Sequence, residues 1–247
     1  FPFAIPIWKM APALVYGNTI VLKPASATPG VATLIARMWE AVDLPAGVFN
    51  LITGSGGTVG NELITNDKVA AISFTGSTRI GMNIASESAK RGKRYQLEMG
   101  GKNPVIVLPD ADLEQAAEIT VSGAMKYSGQ KCTATSRAIV VGNVMEEFTN
   151  LVVEKTNALK IGAGADPESI IVPVIDQASK DNIASMIARG VADGGSILAG
   201  GGVPTGVGLD KGTYVEPTVI NNVASDAFVA CEEIFGYKAK NVMGQNI

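Results

Sequence analysis

Histidine is absent from all 247 residues. That absence removes Ser-His-Asp triads, Cys-His dyads and histidine-ligated metals together. Cysteine is nearly as scarce. Cys132 and Cys231 lie far apart in the chain, cannot by themselves form a four-thiolate zinc site, and read as reduced thiols in a cytoplasmic setting. No metal is expected. No apolar run reaches membrane-spanning length and no signal peptide is visible, so no membrane partner is expected. Positive charge in excess is also missing. The net charge is −3 and the 20 Lys and Arg residues are scattered, which leaves no basic stripe for nucleic acid.

What is present is apolar. Hydrophobic residues make up 47% of the chain and charged residues 17%, enough for a sizeable core in one large or two small domains. The chain opens on "FPFAIPIWKMAPAL", in mid-pattern and without Met, and reads as a piece of a longer protein.

Apolar runs alternate with helical periodicity. "NTIVLKP", "GVFNLITG", "VAAISFTG" and "YQLEMGG" read as strands, each near-continuously apolar, as in a parallel sheet buried on both faces. Thr28 followed by Pro29 predicts a helix start, with Val31, Leu34, Ile35, Met38 and Val42 on one apolar face. A short helix at 58–66 and one at 77–91 follow. Past Lys102 the alternation resumes, with strands in "NPVIVL", "SRAIVV", "GGSILAGGG" and "GTYVEPTVI", and helices at about 112–127, 145–158 and 179–193. The glycine tract 200–208 reads as a connecting loop. The expected fold is α/β: a Rossmann-like parallel-sheet domain over 1–102, then a second α/β domain over 103–247.

Five places could carry chemistry. "TGSGGTVG" is a glycine-rich strand-to-helix turn, away from the usual dinucleotide spacing. "FTGSTRIG" repeats the device, with Gly76 and Ser77 at a helix N-terminus whose N–H groups suit a pyrophosphate. Each can also be read as a plain turn, but two such turns in one sheet favour a nucleotide site; Lys23, at a strand end before Pro24 where ligands sit in such sheets, can also be read as a solvated loop lysine. Glu98 falls inside an apparently buried strand, where desolvation would raise its pKa toward that of a useful base; a carboxylate bonded to backbone amides is the structural alternative. Cys132 sits in "YSGQKCTATS" among polar and small residues, beside Lys131, which could favour the thiolate. Nucleophile and filler remain open for it. Cys231 reads as structural. With histidine missing, Glu98 is the best-placed base for Cys132 by chain order.

Taken together, "FPFAIPIWKMAPAL", "GNTIVLKPAS", "FTGST", "LEMGGKNP", "GQKCTATSR", "GTYVEPTV" and "EEIFG" resemble the aldehyde dehydrogenase superfamily over residues 1–236. Within it, the first, fourth and fifth of these look most like the α-ketoglutarate semialdehyde (2,5-dioxopentanoate) dehydrogenases. The resemblance implies oxidation of an aldehyde to a carboxylate with NAD or NADP, through a cysteine thiohemiacetal and thioester, in a parent protein that is a homodimer or homotetramer. It implies that Cys132 is the nucleophile and Glu98 the general base. It assigns cofactor contacts to Lys23, Ser26, Gly56, Phe74, Thr75, Gly76, Ser77, Gly81, Met99, Glu233 and Phe235, and an aldehyde tunnel to Phe1, Ile5 and Trp8. Many NAD-selective members carry a glutamate where Ser26 stands, so acceptance of NADP is expected. The family's oxyanion-hole asparagine is expected just before Phe1, "YKAKNVMGQNI" does not align with the family, and Val172 replaces the usual glycine before Pro173. Little activity is therefore expected of this chain alone. A non-catalytic nucleotide-binding or interaction module is the alternative.

Overall fold

The computed structural model describes residues 1–234, and they form two compact units that divide between Met99 and Gly100. The division expected from the sequence was at 102/103.

In the first unit, α1 (Ala4–Val15), β1 (Ile20–Leu22), α2 (Pro29–Ala41), β2 (Phe49–Leu51), α3 (Asn61–Thr65), β3 (Ala71–Thr75), α4 (Thr78–Lys90) and β4 (Arg94–Glu98) follow in order. β1 pairs with β2 and β3 with β4, both parallel and in regular register. Each pair is joined by helices, as crossover connections require. The two ladders are parallel as expected, with no strand pairing between them among the described residues. Nor are the strands buried on both faces: Val21 and Tyr95 are exposed.

The apolar face expected on α2 is also divided. Ala32 and Ile35 are buried, while Leu34, Met38 and Val42 face solvent. Pro29 stands at the first turn as expected, but Thr28 makes no side-chain cap. α1 carries no strand or helix expectation from its proline-rich sequence. Pro6 falls in its first turn, where a missing N–H costs little, and Met10 anchors its inner face at 1% exposure. Lys93 is buried, and its ammonium holds the carbonyls of Ile64 (2.8 Å) and Asn66 (2.6 Å) at the end of α3.

The second unit contains β5 (Asn103–Val107), α5 (Leu113–Met125), β6 (Thr135–Val140), α6 (Met145–Asn157), α7 (Gln177–Ala192), β7 (Ser196–Ala199), β8 (Val219–Asn221) and α8 (Phe228–Cys231). Its core joins Val107 on β5, Ala117 and Val121 on α5, and Phe148 and Val152 on α6. Asp112 caps α5 by accepting the Gln115 N–H at 3.0 Å. β5 and β6 are parallel. β7 and β8 are antiparallel, so the parallel alternation stops there. Only Val219 and Ile220 of "GTYVEPTVI" form strand, since Pro217 cannot donate to a ladder. No described helix is long and apolar enough to cross a membrane.

Candidate active site

In the first unit, β3 ends at Thr75 and its ladder runs one step further, with the Gly76 N–H donating to the Glu98 carbonyl at 3.1 Å. The Phe74 ring lies against Gly76, where a Cβ would strike its tip. Gly81, buried one turn into α4, lies against the Met99 sulfur and within reach of Phe74. Phe74, Gly76, Gly81 and Met99 thus form one cluster, made possible by the two missing Cβ atoms. Ser77 occupies the N-cap position of α4 without capping it. Its hydroxyl is buried and has no hydrogen-bond partner among the described residues. An orphaned polar atom beside the free N–H groups of a 13-residue helix suits an anionic ligand.

Lys23 is half-buried behind β1 and donates to the Pro24 carbonyl at 2.7 Å. Burial lowers the pKa of its ammonium. The Ser26 hydroxyl reaches the Gly54 carbonyl at 3.4 Å, which brings "LKPAS" beside "TGSGG". Gly56 opens a π-turn at Gly56–Gly60 whose Ser55 side chain accepts the Thr58 N–H. That turn takes residues 58–60 of the expected 58–66 helix and leaves α3 only five residues.

Glu98 corrects the sequence reading. It is exposed on β4, not buried, so the desolvation argument for it falls. Its Oε1 accepts from Gln96 Nε2 at 2.6 Å. Gln96 Oε1 in turn accepts from Ser73 at 2.6 Å and from Lys9 at 3.4 Å. Burial lowers the Lys9 pKa, and the Glu98 charge opposes that shift. Ile5 and Trp8 lie along α1, with Phe1 just ahead of it; Trp8 is 68% exposed and Phe1 is exposed as well.

In the second unit, Cys132 is exposed in the turn between α5 and β6. The Lys131 ammonium lies over the Tyr127 ring, 5.2 Å from the centroid. Tyr127 and Ser128 adopt positive φ, 58° and 54°, a conformation strained for non-glycine residues. Cys231, read from the sequence as structural, is exposed. Its thiol donates to the Ser225 carbonyl at 3.5 Å.

Glu233 lies against Gly100, where a Cβ would collide with its carboxylate. It accepts the Gly101 N–H, and burial raises its pKa against the opposing pull of that bond and of Lys102. Lys102 is itself lowered, first by burial and then by the Arg137 charge. Phe235 lies outside the described residues. The sequence reading gave no role to Asn103, although it belongs to "LEMGGKNP". Its side-chain amide donates to the carbonyls of Cys132 (2.7 Å) and Ala134 (3.0 Å).

Residues 1–237 match the family model for the aldehyde dehydrogenase family. The chain is 48% identical over 236 residues to alpha-ketoglutaric semialdehyde dehydrogenase of Bacillus subtilis (strain 168), covering 96% of the chain and 48% of that relative. It is 44% identical to a 1-pyrroline-5-carboxylate dehydrogenase of Geobacillus sp. (strain WCH70), over 96% and 46%. Among solved structures, 3,6-anhydro-L-galactose dehydrogenase in complex with NADP superposes with a TM-score of 0.92 at 40% identity, over 95% and 49%. Betaine aldehyde dehydrogenase from Staphylococcus aureus in complex with NAD+ gives 0.92 at 34%, over 95% and 46%. The chain spans about half the length of these relatives.

Proposed function

The chain belongs to the aldehyde dehydrogenase family, and on that premise we propose that it carries the nucleophile, the base and much of the cofactor site of an NAD(P)-dependent aldehyde dehydrogenase. The substrate proposed is a semialdehyde acid, in keeping with the relative at 48% identity. The domains proposed are a dinucleotide-binding part to about Lys102 and a catalytic part after it.

Cys132 attacks the aldehyde carbon, forming a thiohemiacetal. The Cys132 N–H, which bonds to no described residue, supplies one donor for the oxyanion. Losing one such donor costs roughly 2.7–4 kcal/mol of transition-state stabilisation. A bound NAD(P)+ supplies the hydride acceptor. Glu98 takes a proton from the water that attacks the acylated Cys132, and its exposure leaves it open to that water. Ser77, Gly76 and Phe74 would hold the pyrophosphate end, Lys23 and Ser26 the adenosine ribose, and Glu233 the nicotinamide ribose. Phe1, Ile5 and Trp8 would line the aldehyde path. The observation that carries the cofactor reading is the buried, unpartnered Ser77 hydroxyl at the start of α4.

Ser26 puts no negative charge at the 2′ position, so NADP+ is accepted beside NAD+. An intact relative bearing this serine tests that. A preference for NAD+ above about a hundredfold in kcat/KM (~2.7 kcal/mol) would sink it. For the chain itself, the experiment is alkylation of Cys132 by iodoacetamide, followed by mass spectrometry with Cys231 as internal reference. NADP+ should change the Cys132 rate and leave Cys231 alone. Equal rates with and without saturating NADP+ would favour the interaction-module form of the alternative, a non-catalytic nucleotide-binding or interaction module. Steady NAD(P)H production is expected to be small from this chain alone, and robust turnover would overturn that expectation.

A further inference from the structure

We propose that Asn103 is a positioning residue for Cys132, its side-chain amide clamping the turn that carries the thiol. The inference rests on the reading of Cys132 as nucleophile. It begins with a defect in the ladder. β5 starts at Asn103 and its next residue is Pro104, which has no N–H to give. The register slips there: Asn103 faces Thr135, but Pro104 faces Arg137, so Ser136 is skipped. The main-chain ladder therefore stops short of the turn at 131–134.

Asn103 takes over what the ladder cannot do. Its Nδ2 has two hydrogens and donates to the carbonyls of Cys132 at 2.7 Å and Ala134 at 3.0 Å, on either side of Thr133. The turn closes on itself through the Ala134 N–H to the Lys131 carbonyl at 3.0 Å. The Ser136 hydroxyl returns to the Asn103 carbonyl at 3.3 Å. On the other flank, Ser128 Oγ donates to the Val172 carbonyl at 2.7 Å and accepts the Val172 N–H at 2.9 Å. Gln130 Oε1 accepts the Ile175 N–H at 3.1 Å. Cys132 is thus an exposed residue whose turn is held at its backbone from both sides. A nucleophile needs that combination, because preorganisation lowers the cost of reaching the reacting geometry.

Asn103→Asp keeps the shape, removes both donors and sets an acceptor against two carbonyl oxygens. Asn103→Leu removes the polar group at similar size. Both are made in the 247-residue chain, and two quantities are read. Amide hydrogen exchange over 129–136 should accelerate at least about fivefold, the effect of one lost hydrogen bond, with α5 and α6 unchanged. The second is adduct formation with 13C-labelled propanal in a Cys231→Ser background. The thiol adds across the carbonyl, sulfur bonding to carbon and the proton passing to oxygen, with no redox change. Occupancy at Cys132 should fall at least about threefold in both variants. Unchanged exchange in both variants, or faster exchange with undiminished adduct, overturns the proposal. If the unsubstituted chain forms no Cys132 adduct, the nucleophile reading fails, and the exchange comparison still decides whether Asn103 holds the turn.

Discussion

Gln96 and Glu98, two positions apart on the same face of β4, are joined by a 2.6 Å hydrogen bond from the Gln96 amide to Glu98 Oε1. The proposed base therefore belongs to an exposed polar chain through Gln96 to Ser73 and Lys9. Gln96→Leu removes the donor to Glu98 but leaves water to replace it. Urea unfolding should register a stability change below about 1 kcal/mol. A larger loss would mean that the chain of bonds holds β3 and β4 together.

Glu233 makes stability depend on pH. Its folded pKa is raised above 4.5, mainly by burial. The native state therefore holds this proton more tightly than the unfolded chain, and stability falls as pH rises from about 4.5 through the folded value. Glu233→Gln should be more stable than the unsubstituted chain at pH 7, with the gap closing toward pH 4. The Gln carbonyl can still accept the Gly101 N–H. A constant or reversed gap, measured by urea unfolding across that range, would refute the assignment.

Phe148 is 2% exposed at the centre of the second unit's core. Phe148→Ala should cost about 3–5 kcal/mol, read as a shift in the urea midpoint with the slope unchanged. A loss under about 1 kcal/mol would show that the site collapses around the smaller side chain.

Gly200 has φ +65°, and a Cβ there would run into the Pro217 carbonyl. Gly200→Ala should destabilise by at least about 1 kcal/mol, seen as a lowered Tm. Gly194, also at positive φ (+102°) but with open space around it, serves as the control: there only the backbone term applies, so Gly194→Ala should cost less.

Much was legible in the residues. The helices at 78–90, 113–125 and 145–157 follow their apolar periodicity and their flanking Ser, Asp and Gly signals. The parallel pairing of β1 with β2, β3 with β4 and β5 with β6 follows from strands separated by helices. The exposure of Glu98 was not legible. "YQLEMGG" reads as apolar, but alternation along β4 turns Glu98 outward with Gln96. Nor was the end of the alternation, because the antiparallel pairing of β8 with β7 depends on the path of the long loop before it.

By itself the sequence determined the chemistry on offer: one thiol in a polar segment, no histidine, a carboxylate two glycines ahead of Lys102, and glycine turns at two strand ends. Residue types alone set which reactions are chemically open. Only the tertiary structure decided that the Ser77 hydroxyl is buried without a partner among the described residues, that Glu233 rests on Gly100, and that Asn103 holds the Cys132 carbonyl. Those relations join residues through packing and hydrogen-bond direction. Asn103 meets Cys132 only because the β5–β6 ladder slips beside a proline and leaves two carbonyls for a side-chain amide to bind.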